Sequence, residues 1–214
     1  DALTTGSNNT ALGYSALSTE DTGNRSVAIG SFALFSQNND SNNDNTAVGY
    51  NAGFALTTGI NNTLIGALAG DALTTGSTNV AIGYNALSAQ QTNGQNVAVG
   101  AQALQNQNVS GHGNNTAIGL QAGLNITTGI KNTIIGSTAG DALTEGQNNI
   151  IIGFGSAASA VDVNNEITLG DGNISSIRCQ VQTISSLSDE RDKTNIQDST
   201  YGLDYINSLR PVTF

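Results

Sequence analysis

The sequence predicts an all-β fold: a repeat-built parallel solenoid of about ten stacked coils, each 17 or 19 residues long. Three observations predict it. Glycines recur at a nearly fixed interval, each glycine is preceded by a short segment of alternating residue size, and turn-forming residues fill the rest of every coil.

The glycines set the frame. Those with an apolar residue directly before them stand at Gly13, Gly30, Gly49, Gly66, Gly83, Gly100, Gly119, Gly136, Gly153 and Gly170, at spacings of 17, 19, 17, 17, 17, 19, 17, 17 and 17. The first four spacings sum to 70, and every anchor from Gly13 to Gly100 has a partner 70 residues later. The wording repeats as well: DALTTGSNNTALGYSAL opens the chain, and DALTTGSTNVAIGYNAL begins at Asp71. A block of four coils is therefore duplicated in tandem. The chain begins within this phrase, as expected of a segment of something longer.

The strands come next. Three residues and one residue before each anchor stand pairs such as Val27/Ile29, Thr46/Val48, Val80/Ile82 and Ile150/Ile152, with small residues such as Ala28, Ala47, Ala81 and Ala98 between most of them. Alternation with period two gives a strand with two distinct faces. One face is bulky and the other small, and both are apolar. A second small residue, Ala, recurs three positions after eight of the ten anchors. The remainder, in phrases such as TTGSNN, TNGQN and SGHGNN, is turn chemistry, and the glycines read as positions needing positive φ.

One short strand per coil makes no globular core, but stacking pairs each strand with its equivalent in the next coil and runs a core down the stack. Ten coils at about 4.8 Å each span roughly 48 Å. The second apolar face needs a cover, and a thin coil has little interior. The expectation is a homotrimer closed around the small-residue face; a monomeric two- or three-sided β-helix is the alternative.

Composition excludes several classes. The chain of 214 residues has 26 Gly, one Pro, no Met and no Trp, and 10% of it is charged. A net charge of −10 argues against nucleic acid, which requires a basic stripe. There is no run of about 18 apolar residues to insert in a membrane. Cys179 is alone, which leaves no disulfide framework or metal cluster, and its alternation with Ile177 and Val181 reads as a core position in a strand. The glycines match no phosphate-binding motif, and no cofactor is implied.

Two resemblances rest on these residues. NNTALGYSAL, NVAIGYNAL and NVAVGAQAL resemble the NSVAIG-type repeats of trimeric autotransporter adhesin heads, over roughly residues 1–170. The resemblance implies a left-handed parallel β-roll with three chains side by side; the coils here are longer than in those heads. Further on, SDERDKTNI at Ser188–Ile196 and GLDYINSLRPVTF at Gly202–Phe214 resemble the opening of the intramolecular chaperone domain of phage endosialidases, tail spikes and related fibres. That domain trimerises, guides folding of the fibre before it and then cuts itself off. The resemblance implies Ser188 as nucleophile and Lys193 as base, with attack on the carbonyl of Leu187. In this chain, which holds only the opening of that domain, an ordinary solvated turn is the competing reading. Leu203, Ile206 and Leu209 predict a short amphipathic helix ending before Pro211.

The resulting organisation is a repeat domain at 1–170, a connecting strand or neck at 171–187 and the start of a chaperone domain at 188–214. The expected function is that of a structural and adhesive segment of a trimeric extracellular fibre, on a virion tail or a bacterial surface. It would display loops to a host glycan or protein receptor. The loop candidates lie in the two 19-residue coils: Asn38, Asn39, Asp40, Asn42 and Asn43 in the first, and Gln107, Asn108 and His112 in the second. As two-residue insertions they are expected to be dispensable for folding. The stretch Asn38–Asn45 lacks the glycine and terminal glutamate of a calcium loop and reads as solvated.

Two other readings stand beside this one. A polysaccharide-degrading tail-spike hydrolase would need a paired carboxylate site, whereas Glu20, Asp21, Asp40, Asp44, Glu145, Asp162 and Glu166 are scattered. Ice binding would need regular threonine ranks, and the TTG pair does not occur in every coil.

Overall fold

The structure is a computed structural model that describes residues 4–92 and 94–178. The coils belong to one unit, Asp1–Ser175. The expected Cys179–Val181 strand positions, the helix around Leu203–Leu209, and Ser188 and Lys193 lie outside the described residues.

Among the described residues, ten three-residue strands lie in chain order in one parallel sheet. They are β1 (Thr10–Leu12), β2 (Val27–Ile29), β3 (Thr46–Val48), β4 (Thr63–Ile65), β5 (Val80–Ile82), β6 (Val97–Val99), β7 (Thr116–Ile118), β8 (Thr133–Ile135), β9 (Ile150–Ile152) and β10 (Ile167–Leu169). Each pairs with the next in strict register, for example Val80↔Val97, Ala81↔Ala98 and Ile82↔Val99. Connections of about one coil between neighbouring parallel strands make this a β-solenoid, and no helix occurs among the described residues. The predicted anchor-by-anchor strand positions are all occupied.

The anchor glycines terminate the strands for a steric reason. Gly83 sits at φ +135°, and a Cβ there would lie 2.5 Å from the backbone carbonyl carbon of Gly100 in the next coil. Only glycine lets the stacked backbones approach this closely while holding that dihedral.

The core is a column of small and medium side chains. Ala28, Ala47, Ala81, Ala98 and Ala117, the central strand residues, are fully buried, as are Ala33, Ala52, Ala69, Ala86, Ala103, Ala122 and Ala139. Leu34, Leu56, Leu73, Leu87, Leu104, Ile126 and Leu143 fill the space between these two walls. Where the central strand residue is large, a glycine makes room: a Cβ on Gly53 would meet Leu64 Cδ1 at 2.8 Å.

This placement corrects the expected assignment of faces. The small face of each strand points into its own coil, because the narrow coil admits little more than a methyl group at most levels. The bulky face points outward: Ile65, Ile118, Ile135 and Ile152 are exposed, while Val27, Ile29, Val48, Val80, Ile82, Val97 and Val99 are half-buried. Association around the small face is therefore ruled out, since that face is already consumed within the chain.

An asparagine column forms a second element of the stack. The residue directly before most strands is a buried Asn: Asn45, Asn62, Asn79, Asn96, Asn115, Asn132 and Asn149. Each side chain works across the coil boundary. Asn62 Oδ1 accepts the backbone N–H of Asn79 at 3.0 Å, and Asn62 Nδ2 donates to the Gly76 carbonyl at 2.9 Å. Asn132 repeats the arrangement with Asn149 N at 3.0 Å and Gly146 O at 2.9 Å. These bonds satisfy backbone groups where the chain turns into the strand and has no ladder partner. Several "NN" phrases that read as turn chemistry thus contain one buried residue, as at Asn62, Asn115 and Asn149.

Candidate interaction surfaces

The outward strand faces join into one apolar stripe running the length of the stack. Beside it, the residues following the anchors alternate in size: Tyr14, Ser31, Tyr50, Ala67, Tyr84, Ala101, Leu120, Ser137 and Phe154. The large members are exposed on the single chain, Tyr84 at 53% and Phe154 at 73%. An apolar row running through ten coils exceeds the scattered apolar residues of an ordinary monomer surface and makes this face a candidate interface.

The outer edge of the first block carries a further aromatic cluster. Phe35 and Phe54 stack with ring centres 5.2 Å apart, and Phe32 packs edge-on against both and against Tyr14. Seventy residues on, Gln102 and Gln105 replace Phe32 and Phe35, and Gln102 hydrogen-bonds Gln105 and Gln121 at 2.9 and 3.0 Å. The duplicated scaffold thus bears different chemistry on equivalent surfaces.

The loop candidates divide. Asn38, Asp40, Asn42, Asn108 and His112 are exposed and Asn39 is half-buried. Asn43 and Gln107 are fully buried, and for these two the expected receptor role is corrected. Asn43 Nδ2 and Gln37 Nε2 each donate to Glu20 Oε2 at 2.9 Å, and the Gly23 backbone N–H donates to Glu20 Oε1 at 2.8 Å. Gln37 also donates to Ser26 Oγ at 2.9 Å and accepts from Asn45 Nδ2 at 2.9 Å, bridging the one internal level where Ser replaces the column asparagine. Gln107 donates to Asn96 Oδ1 at 3.3 Å. A longer coil must close over the stack, and its polar residues do so by turning inward. The longer first coil therefore contributes a buried, bonded residue, Asn43, to the stack, while Asn38, Asp40 and Asn42 stay exposed. Sequence reasoning missed Glu20 in this role; the available signal was a carboxylate in a chain otherwise poor in charge.

Among the described residues, no three or more of the remaining acids gather into one group. Glu166 binds Ser159 and Thr168 through its carboxylate, and these hydrogen bonds hold its pKa below the ordinary value. Burial pushes the Asp71 carboxyl up. Among the described residues no group of three or more His, Cys, Asp or Glu could hold a metal, and no helix is long and apolar enough to cross a membrane.

The fold defines a class, the parallel β-solenoids. The comparison with protein families adds a second point: residues 188–214 match the family described as chaperone of endosialidase. No curated protein and no solved structure matches the chain. A β-solenoid followed by such a chaperone segment fits a structural protein of the phage tail-fibre kind.

Proposed function

We propose that the chain is a segment of a homotrimeric extracellular fibre whose coils form a rigid shaft or head and whose outer surface meets a host receptor. The observation that carries this reading is the ten-coil apolar stripe on the outward strand faces. Its length matches an identical partner stacked at the same repeat, which a globular partner does not offer. Three narrow sheets facing a common axis close the stripe on every chain. The NSVAIG-type resemblance supports the same side-by-side arrangement of three rolls.

The coils at 1–170 form the repeat domain, 171–187 the neck and 188–214 the opening of the chaperone. The last strand ending at Leu169 and the family match beginning at position 188 support these boundaries. In a protein carrying the whole chaperone, that domain brings the three chains together and is then released by cleavage at Ser188 with Lys193 as base. Exposed Asn38, Asp40, Asn42, Asn108 and His112 stay available for receptor contact. Sedimentation equilibrium tests the reading: a folded chain at trimer mass supports it, and a folded monomer contradicts it.

A further inference from the structure

Two polar grooves lie on the corner that precedes the strands, and they are related by the internal duplication. The first, of about 470 Å³, is lined by Lys131, Gln147, Asn148, Asn164 and Asn165. The second, of about 250 Å³, includes Ser77, Thr78, Gly94 and Gln95. These four stand 70 residues before Gln147, Asn148, Asn164 and Asn165. A shared backbone device builds both. Lys131, Asn148 and Asn165 have φ of 61°, 58° and 61°, as Asn61, Thr78 and Gln95 have 60°, 62° and 65°. At each of these corners the N–H turns back to the preceding coil, as Lys131 N does to Gly113 O at 2.7 Å.

The chemistry of the larger groove is specific. Its lining is four amides and one ammonium, with no apolar floor. Gln147 N donates to Asn164 Oδ1 at 2.8 Å, and Asn148 Nδ2 donates to Asn165 Oδ1 at 2.7 Å, so the side-chain amides of Asn164, Asn148 and Asn165 are held by the backbone and by each other. Among the described residues Asn148 Oδ1 remains an acceptor and Asn165 Nδ2 a donor for a ligand. Arg25, the cation nearest the other end of the coils, is bound to Asp44 at 2.7 Å. Lys131 has no ion pair among the described residues. A set of neighbouring amides suits vicinal hydroxyls, and a lysine with no ion pair among the described residues suits one carboxylate.

We infer that this groove binds a carboxylate-bearing oligosaccharide, with Lys131 on the carboxylate and Gln147, Asn148, Asn164 and Asn165 on the hydroxyls. This rests on the fibre reading, for which it supplies the ligand class. The smaller groove repeats the frame four coils away, roughly 19 Å along the stack, with Asn61 where Lys131 stands.

The test is titration calorimetry of the 214-residue chain with hexagalacturonate and with its fully methyl-esterified, uncharged form. The acidic hexamer is expected to bind and the esterified one to bind at least roughly tenfold more weakly. Lys131→Gln should weaken the acidic hexamer by a similar factor, and Lys131→Arg should restore it. Equal binding of both hexamers, no binding of either, or indifference to Lys131→Gln would overturn the inference. The mass of the same samples keeps the two readings apart: a trimer without binding removes only the ligand, and a binding monomer removes only the assembly.

Discussion

The side-chain amide of Asn43 donates to Glu20 Oε2 at 2.9 Å, across 23 positions of sequence and inside the coil stack. Removing Asn43 leaves a buried carboxylate with one donor fewer, at a cost of about 1.5–3 kcal/mol. Asn43→Gly and Glu20→Gln should each lower the melting temperature. The duplicated block holds Gln90 and Gly113 at the equivalent positions, so the double variant should recover part of the loss. Thermal melts of the four proteins measure this coupling, and additive losses would count against it.

The asparagine column makes a second, independent prediction. Asn79→Ala strips the acceptor from the buried Asn96 N–H, which Asn79 Oδ1 holds at 3.1 Å. The loss should be about 1–3 kcal/mol in a denaturant melt. A substitution at exposed Asn108 should change stability by less than about 0.5 kcal/mol.

Neighbouring residues of one strand should fail in different ways. Ala81 is fully buried in its own coil, so Ala81→Asp places an unpaired charge in the core and should abolish folding. Ile82 points outward, so Ile82→Asp should leave the coils folded and remove association. Circular dichroism and sedimentation together separate the outcomes; the same behaviour from both variants would undo the assignment of faces.

Self-cleavage is expected only with a complete chaperone domain. There, burial favours the neutral form of Lys193, which then activates Ser188. Mass spectrometry should find a product ending at Leu187, absent from Ser188→Ala, which should still assemble. An unchanged cut in that variant would remove serine from the mechanism.

Much of the fold was legible because the stack writes its period into the text. Each anchor glycine from Gly13 to Gly153 answers a backbone contact with the next coil, and the series through Gly170 located every strand. The facing of the strands was less legible. Ala81 and Ile82 are both apolar, and hydrophobicity alone does not say which is inside; the deciding quantity is the narrow width of the coil, which is a property of the folded backbone. Asn62 and Asn79 hid for a related reason, since an asparagine beside a turn resembles any other until the next coil supplies its N–H. Likewise Gln107 and Asn43 looked like exposed loop residues until the closure of the longer coils turned them inward. The grooves at Lys131 and Thr78 arise from left-handed corners, which residues other than glycine and asparagine do not announce.

The outward strand face as a seam among three copies can be read directly by dipolar electron spin resonance. A nitroxide on Val99→Cys, in a Cys179→Ser background, sits at the middle of the stripe on a half-buried outward position. Packing of three chains through this face predicts three coupled spins per particle and a single short distance among them. One isolated spin per particle, in a protein that remains folded, would contradict it.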